Sequence, residues 1–239
     1  MLEKKIDPNR DWKLDEEDLQ RARKILKGEV LNKNYINRIG AYDALVYSQL
    51  SHRQYYTTQV RTFVTLKEKG LTDPKNVISR NQEVEDVIRR HGSVFRQKAR
   101  YLANSAKFWI ETNYPERLID DVNNGREKCD ELRDEIINGV TGIGYKLASL
   151  FFLKLGYQTV SIDTWLIEYL AHTKIADRLD IDVSKGSVPA NKYKQAENEL
   201  RKVAGEYNIT LPELCAAAWS KYSTWNEDDM RIYLKAISK

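Results

Sequence analysis

The sequence has few of the residues that build metal centres or disulfide frameworks, and no long apolar run. Its two cysteines, Cys129 and Cys215, stand apart, without the Cys-x-x-Cys or Cys/His spacings of zinc and iron–sulfur sites. The most apolar stretch, residues 147–155, is too short to cross a bilayer and carries Lys154. We therefore expect no metal, no cofactor and no membrane anchor, and both cysteines are predicted to be ordinary thiols.

Targeting signals and low-complexity tracts are also lacking. Residues 1–17 are dense in charge and contain no apolar core of signal-peptide length. The 239 residues are 41% hydrophobic and 31% charged, and no linker rich in Gly, Ser or Pro interrupts them. We expect one large domain or two closely packed ones, in an intracellular protein of the cytoplasm or nucleoid.

Acidic residues are missing from three long windows, residues 44–67, 87–110 and 136–162. The net charge of +4 is too small by itself to separate a nucleic-acid binder from other enzymes. The middle window interleaves basic with aromatic residues, namely Arg89, Arg90, Arg96, Lys98, Arg100 and Lys107 with Phe95, Tyr101 and Trp109. This pattern predicts either a phosphate-facing surface or a solvated helix face.

The hydrophobic pattern predicts an all-α chain, because apolar residues recur at helical spacing and no alternating run is long enough for a sheet. Ten helices are predicted, at residues 15–27, 35–50, 54–69, 83–90, 95–112, 129–138, 145–155, 164–172, 192–207 and 211–221. The dipeptides Asp73-Pro74 and Tyr114-Pro115 are interpreted as punctuation between helices, and residues 174–191 as the least regular stretch.

A glycine hairpin lies in the third acid-free window. Gly142, Ile143 and Gly144 separate a helix that ends at Asn138 from one that begins near Tyr145. Ile143 is predicted to turn inward, and the two glycines, which lack Cβ, are predicted to expose backbone N–H groups beside the positive end of a helix dipole. Such a turn either binds a nucleic-acid phosphate or simply joins two packed helices.

Lys146 lies in the first turn of the following helix, where the helix dipole disfavours an ammonium group. Its neighbours at helical spacing are Ser149, Leu150 and Leu153, an apolar stripe separate from the exposed side on which Lys154 is predicted to lie. Partial burial is expected to lower the pKa of Lys146 further, which suits an amine for Schiff-base chemistry. The alternative is a lysine whose ammonium group extends into water.

Asp163 follows an extended run and directly precedes the predicted helix 164–172. Aspartate is a favoured N-cap residue, so capping is the simplest role for it. A capping carboxylate is held by backbone donors and remains ionised, so it can also stabilise a developing positive charge.

The residues GIGYKLASLFFLKLGYQTVSIDTW resemble the helix-hairpin-helix motif and following Asp of the DNA glycosylase superfamily that includes endonuclease III. Their order, with the upstream HGSVFRQKARYL, is similar to that of the compact 8-oxoguanine DNA glycosylases of archaea and some bacteria. The resemblance implies two closely packed helical domains with the motif at the cleft between them. We predict a discontinuous domain of residues 1–50 and 159–239 that carries Asp163, and a domain of residues 51–158 that ends in the motif.

The resemblance also implies a bifunctional glycosylase and AP lyase that excises an oxidised base, 8-oxoguanine, from a flipped nucleotide. By position, Lys146 matches the nucleophile that attacks C1′ and permits β-elimination through a Schiff base, and Asp163 matches the catalytic carboxylate. Gly142, Ile143 and Gly144 match the hairpin that binds the DNA backbone. The expected partner is double-stranded DNA with a damaged base, bound by a monomer.

Three further residues are predicted to contact the lesion or the gap left by the flipped base: Gln49, Trp165 and Trp219. Gln49 resembles a polar residue that the superfamily places near the gap, although a glutamine at a helix end is often just solvated. Trp165 stands where relatives have His, and Trp219 precedes a tail that compact relatives lack. These tryptophans, like Trp109 and Trp225, can stack on a base or belong to the core.

Three other functions remain open. The first is a glycosylase for an oxidised pyrimidine, an alkylated base or uracil. The second is a non-catalytic helix-hairpin-helix module, which predicts salt-sensitive DNA binding without cleavage. The third is a helical protein-interaction domain, which would leave the three acid-free windows unexplained.

Overall fold

The computed structural model describes residues 13–51, 55–91, 97–222 and 227–237, which contain α-helices and short 3-10 helices but no strand, so the all-α prediction is confirmed. No helix in these ranges is long and apolar enough to cross a membrane, and no cluster of side chains in them could hold a metal ion. The helices are α1 (Glu16–Glu29), α2 (Arg38–Leu50), α3 (Tyr56–Glu68), α4 (Pro74–Ser79), α5 (Asn81–Arg90), α6 (Gln97–Glu111), α7 (Tyr114–Asn124), α8 (Cys129–Gly139), α9 (Tyr145–Lys154), α10 (Thr164–His172), α11 (Ile175–Arg178), α12 (Ala190–Glu206), α13 (Leu211–Tyr222) and α14 (Glu227–Ile237).

Four of these helices, α4, α7, α11 and α14, are missing from the sequence-based prediction. Two of them begin at Asp73-Pro74 and Tyr114-Pro115, so these dipeptides do lie at helix boundaries, but the helices that they start were not predicted. Asp73 caps α4 by accepting hydrogen bonds from the N–H groups of Lys75 and Asn76, and Pro74 lies in the first turn. Pro115, the second residue of α7, also lies in a first turn. Proline suits a helix start because the first turn does not need its missing N–H and its φ is already helical.

The chain forms two compact units, each discontinuous in sequence. Unit 1 includes the described residues within Met1–Lys27 and Ile162–Ser223, and unit 2 those within Gly28–Ser161 and Thr224–Lys239. The predicted domain limits at residues 50 and 158 stay a prediction, because a compact unit is not by itself a part of the chain that folds alone.

Unit 1 is built around α10, which packs against α11 and α13, while α12 packs against α11 and α13. Its core consists of buried aliphatic side chains, including Leu166, Leu170, Leu200 and Leu214. The N–H of Ile162 donates a buried hydrogen bond to the hydroxyl of Tyr193 on α12, at 2.8 Å. This bond anchors the chain one residue before Asp163.

Unit 2 surrounds α2, in which every residue from 40 to 50 is buried. Asn37 caps this helix, since its side chain accepts hydrogen bonds from the N–H groups of Ile39 and Gly40. Helices α3, α6, α7 and α9 pack around it. A helix that is buried on all faces must lie in the middle of its unit, and α2 therefore supports both α6 and α9.

The carboxy-terminal helix α14 belongs to unit 2, where it packs along α3. The buried ring of Tyr233 lies 4.6 Å from that of Tyr47 and 5.7 Å from that of Phe63, measured between centroids. The hydroxyl of Thr57 donates a hydrogen bond to Asp229 at 2.5 Å. The tail beyond Trp219 thus contributes to the core of unit 2.

Lys154 is buried, and the prediction that it lies on an exposed side is wrong. Its fully buried amine forms an ion pair with Glu29, donates to the Tyr233 hydroxyl at 3.3 Å and lies 3.9 Å from the centroid of the Tyr47 ring. The hydroxyl of Tyr56 donates to the other carboxylate oxygen of Glu29 at 2.8 Å. Burial lowers the pKa of Lys154, and the negative charge of Glu29 opposes that effect.

Candidate active site

The glycine hairpin joins the end of α8 to the start of α9. Ile143 is only 6% exposed, so its side chain turns inward as the sequence predicts. The N–H of Ile143 donates to the carbonyl of Val140 at 3.3 Å, which closes the turn. Gly142 and Gly144, on either side, are exposed.

The two glycines are needed for different reasons. Gly142 has a φ of +90°, and a Cβ built on it would lie 2.5 Å from the ring of Tyr101. Gly144 has an extended backbone, and a Cβ on it would meet nothing within 4 Å. Gly142 thus makes room for Tyr101, whereas Gly144 faces open space. Close approach of a nucleic acid to the hairpin stays a prediction.

The first turn of α9 is suited to binding an anion. Gly144 is its N-cap residue and provides no side-chain hydrogen bond, and the first turn contains no acidic residue. The first N–H groups of a helix have no partners within it, and they lie at the positive end of its dipole. Helix N-termini of this kind are common binding sites for phosphate groups.

Lys146 is half-buried in this first turn. Among the described residues its amine has no hydrogen-bond or ion-pair partner, while its carbonyl accepts a hydrogen bond from Ser161 Oγ at 3.0 Å. The predicted stripe beneath it is largely buried, because Ser149 and Leu153 are buried and Leu150 is half-buried. The side of α9 that carries Lys146 is thus mostly apolar and buried, and no described carboxylate forms an ion pair with the amine.

Asp163 caps α10, as predicted. Its Oδ1 accepts hydrogen bonds from the N–H groups of Trp165 at 3.0 Å and Leu166 at 3.1 Å. The side chain is half-buried. Two main-chain donors hold the carboxylate in one orientation. Asp163 belongs to unit 1 and Lys146 to unit 2, and the chain passes from one unit to the other between residues 161 and 162.

Gln49 links α2 to α6 inside unit 2. It is 5% exposed, its Oε1 accepts from Ser105 Oγ at 2.8 Å, and its Nε2 donates to the carbonyl of Tyr101 at 3.3 Å. It is therefore not a solvated helix end, because both ends of its amide are hydrogen-bonded within unit 2. Trp165 and Trp219 are half-buried in unit 1. Contact of these three residues with a lesion stays a prediction.

The middle acid-free window is only partly a basic surface. Arg89, Arg90, Arg100 and Lys107 are exposed. Lys98, however, is 3% exposed and donates to the carbonyl of Leu50 at the end of α2, at 2.8 Å. Burial lowers its pKa to about 8. Lys98 therefore supports a helix end and does not face phosphate.

The aromatic residues of this window also differ in burial. Trp109 is fully buried against Tyr42 and Tyr114 and belongs to the core, whereas Tyr101 is half-buried under the hairpin. Phe95, Arg96 and Trp225 lie outside the described residues.

Sequence reasoning missed Arg133 on α8. Its side chain is 1% exposed and donates hydrogen bonds to Ser149 on α9 and to Thr159. An arginine within the charged stretch CDELRDE gives no local sign of burial, because its partners lie 16 and 26 residues further along the chain.

Comparison with known proteins places these features in a family. Residues 37–209 match the family model Ogg-HhH, described as 8-oxoguanine DNA glycosylase. The 8-oxoguanine DNA glycosylase/AP lyase of Methanocaldococcus jannaschii is 29% identical over 140 residues, which are 58% of this chain and 61% of that protein. The alignment thus spans less than two thirds of that relative.

Solved structures share the fold. The 8-oxoguanine DNA glycosylase of Thermotoga maritima has a TM-score of 0.68 at 18% identity, covering 87% of this chain and 91% of that one. The Methanocaldococcus jannaschii enzyme has a TM-score of 0.66 at 21% identity, covering 86% and 91%. Its complex with a 15mer DNA containing 8-oxoguanine has a TM-score of 0.64 at 22% identity, covering 86% and 88%.

The matched stretch runs from the cap of α2 to beyond the end of α12. It therefore contains the hairpin, the half-buried lysine after it and the aspartate that caps α10. Because the family model matches well over half of the sequence, the chain belongs to the 8-oxoguanine DNA glycosylase family with a helix-hairpin-helix motif.

Proposed function

We propose that this protein is a bifunctional DNA glycosylase and AP lyase that removes 8-oxoguanine from double-stranded DNA. The proposal is carried by Lys146, a half-buried residue at the start of α9, two residues after the open Gly144. Its amine has no hydrogen-bond or ion-pair partner among the described residues. The family match includes this site, and a relative named 8-oxoguanine DNA glycosylase/AP lyase supports the same activity. The protein acts as a monomer on DNA, in the cytoplasm or nucleoid.

In the first step, the neutral amine of Lys146 attacks C1′ of the flipped, damaged nucleotide. A bond forms between Nζ and C1′ as the bond from C1′ to the base breaks, and the departing base takes up a proton. The sugar ring then opens, O4′ is protonated, and C1′ and Nζ form an iminium ion. Loss of a proton from C2′ expels the 3′ phosphate and cuts the strand.

Asp163 and the hairpin have separate roles in this mechanism. Positive charge develops on the sugar as the base leaves, and the carboxylate of Asp163, oriented by two N–H groups of α10, stabilises it. The N–H groups at the start of α9 bind a backbone phosphate across the open face of Gly144.

A panel of duplexes tests the function. Each duplex contains 8-oxoguanine, an oxidised pyrimidine, an alkylated base, uracil or no lesion, and is analysed on a denaturing gel with and without borohydride. We expect strand cleavage and a covalent adduct with the 8-oxoguanine duplex and neither with the undamaged one. Activity on another lesion alone would identify that lesion, and not 8-oxoguanine, as the substrate. Binding without cleavage or trapping would identify a non-catalytic DNA-binding module.

Alanine substitutions at the two glycines are expected to have different effects. Gly142→Ala combines a left-handed backbone with a clash against Tyr101, so we expect the free energy of unfolding to fall by about 2–4 kcal/mol. Gly144→Ala meets no atom of the protein, and its loss should stay below about 1 kcal/mol. The Cβ of the new alanine at position 144 would instead keep a phosphate away from the N–H groups at the start of α9, so the affinity of this variant for duplex DNA should fall.

Thermal melting measures the effect on stability. Fluorescence anisotropy with labelled duplex DNA at fixed salt concentration measures the effect on affinity. Wild-type DNA affinity in Gly144→Ala would contradict the role of the hairpin in phosphate binding.

A further inference from the structure

A buried guanidinium group connects three segments of unit 2. Arg133 Nη1 donates to Ser149 Oγ on α9 at 3.0 Å and to Thr159 Oγ1 at 2.8 Å, and both hydroxyl groups are fully buried. Nη2 donates to Asp130 Oδ1 at 2.6 Å. The Asp130 side chain is 63% exposed, so this ion pair extends to the surface. One side chain of α8 thus holds α9 and residues 157–161 together.

Both of the segments held by Arg133 lead directly to Lys146. The guanidinium carbon lies 5.5 Å from the centroid of the Tyr145 ring, and Tyr145 precedes Lys146 in the first turn of α9. Thr159 lies two residues before Ser161, whose Oγ donates to the carbonyl of Lys146 at 3.0 Å. The backbone of Lys146 therefore lies between Tyr145, whose ring contacts Arg133, and Ser161, two residues from a hydrogen-bond partner of Arg133.

Packing alone does not explain a charged group at this position. Burying a guanidinium is unfavourable, and apolar side chains of similar volume usually stabilise a core at least as well. A guanidinium does, however, present donors in a rigid planar arrangement, which fixes the direction of its partners. Fixed geometry matters most beside a reacting atom, because a shift of about 1 Å can slow a reaction about 100-fold.

We infer that Arg133 is a positioning residue, which holds the first turn of α9 so that the Lys146 amine points at C1′. The inference rests on the proposed function. It predicts that loss of the planar donor group slows the reaction of the amine without weakening the binding of DNA.

Single-turnover trapping on a duplex with a preformed abasic site tests this role, because the amine then reacts directly with the sugar aldehyde. Arg133→Lys keeps the charge and loses the planar donors, and we expect its trapping rate constant to fall about 10–100-fold. Thr159→Val and Ser149→Ala each remove one acceptor and should lower it several-fold. Arg178→Lys, on an arginine paired with Glu199 at the surface, should match the wild type.

Two further readouts separate positioning from a purely structural role. If Arg133 positions the amine, the amplitude of trapping and the DNA concentration at half-saturation should stay within about twofold of wild type, and only the rate constant should fall. A structural role would lower the amplitude, since part of the protein would be misfolded, and leave the rate constant of the remainder unchanged. If Arg133→Lys does not fold, the two hydroxyl variants provide the same comparison.

The outcomes distinguish this inference from the function on which it rests. A slower rate constant at unchanged amplitude supports it. A wild-type rate constant in Arg133→Lys and in both hydroxyl variants overturns the positioning role and leaves the glycosylase proposal intact. Absence of any adduct with the wild-type protein overturns the proposed function and this inference with it.

Discussion

Lys146→Gln is expected to abolish the borohydride-trapped adduct and to lower the rate of strand cleavage at 8-oxoguanine at least about 1,000-fold. Glutamine is polar and one atom shorter than lysine, but its amide nitrogen is not nucleophilic and cannot form a bond to C1′. Cleavage and trapping are measured on the same duplex under single-turnover conditions, with the protein in excess.

The fold should survive this substitution. The Lys146 amine makes no hydrogen bond or ion pair with the described residues, so the variant is expected to melt at the wild-type temperature. Lys202→Gln, at an exposed lysine of α12, controls for the loss of one positive charge. Trapping that persists in Lys146→Gln would show that another amine is the nucleophile.

Asp163→Asn tests the role of the Asp163 carboxylate separately from that of the Lys146 amine. Asparagine caps a helix about as well as aspartate, so the two hydrogen bonds to α10 should remain. The negative charge is lost, and base excision should be lost with it while DNA binding persists. Trapping at a preformed abasic site should fall less than excision, because the base has already left. Equal losses in both assays would contradict the assigned role.

Glu29→Gln is expected to lower the free energy of unfolding by about 3–5 kcal/mol, because it leaves the fully buried ammonium group of Lys154 without its anionic partner. The same range is expected for Lys154→Met, which leaves a buried carboxylate beside Tyr56. The two losses should not add: the double variant should be more stable than their sum predicts by about 1–3 kcal/mol. Urea unfolding of the four proteins provides the measurement.

A surface pair provides the matched comparison. Glu199→Gln removes the partner of Arg178 and Lys202, whose side chains are 60% and 71% exposed, and should change stability by less than about 1 kcal/mol. A similarly small change in Glu29→Gln would show that water reaches Lys154. The hydroxyl of Tyr233 on α14 also contacts the Lys154 amine, so the experiment reports on the docking of the carboxy-terminal helix.

Local physics explains what could be predicted without coordinates. Apolar spacing of helical period indicated ten of the helices, and Gly142, Ile143 and Gly144 marked the hairpin because a tight turn requires small residues around an inward anchor. Asp163 was predictable as an N-cap from its place before an apolar helical run. Helices α4 and α7 carried a start signal of the same kind, a proline in the first turn, but the prediction used it only as a boundary and assigned no helix after it.

The sequence by itself thus determined the all-α class, the hairpin and the family motif, since each depends on neighbours within about one helical turn or on a contiguous stretch of sequence. The tertiary structure alone decided which polar side chains are buried. Lys98, Gln49, Arg133 and Lys154 look like ordinary surface residues in sequence, and all four are buried. Glu29, the partner of Lys154, is 125 residues away along the chain. Helical periodicity shows which residues share a face, but the element that covers that face is set by long-range packing.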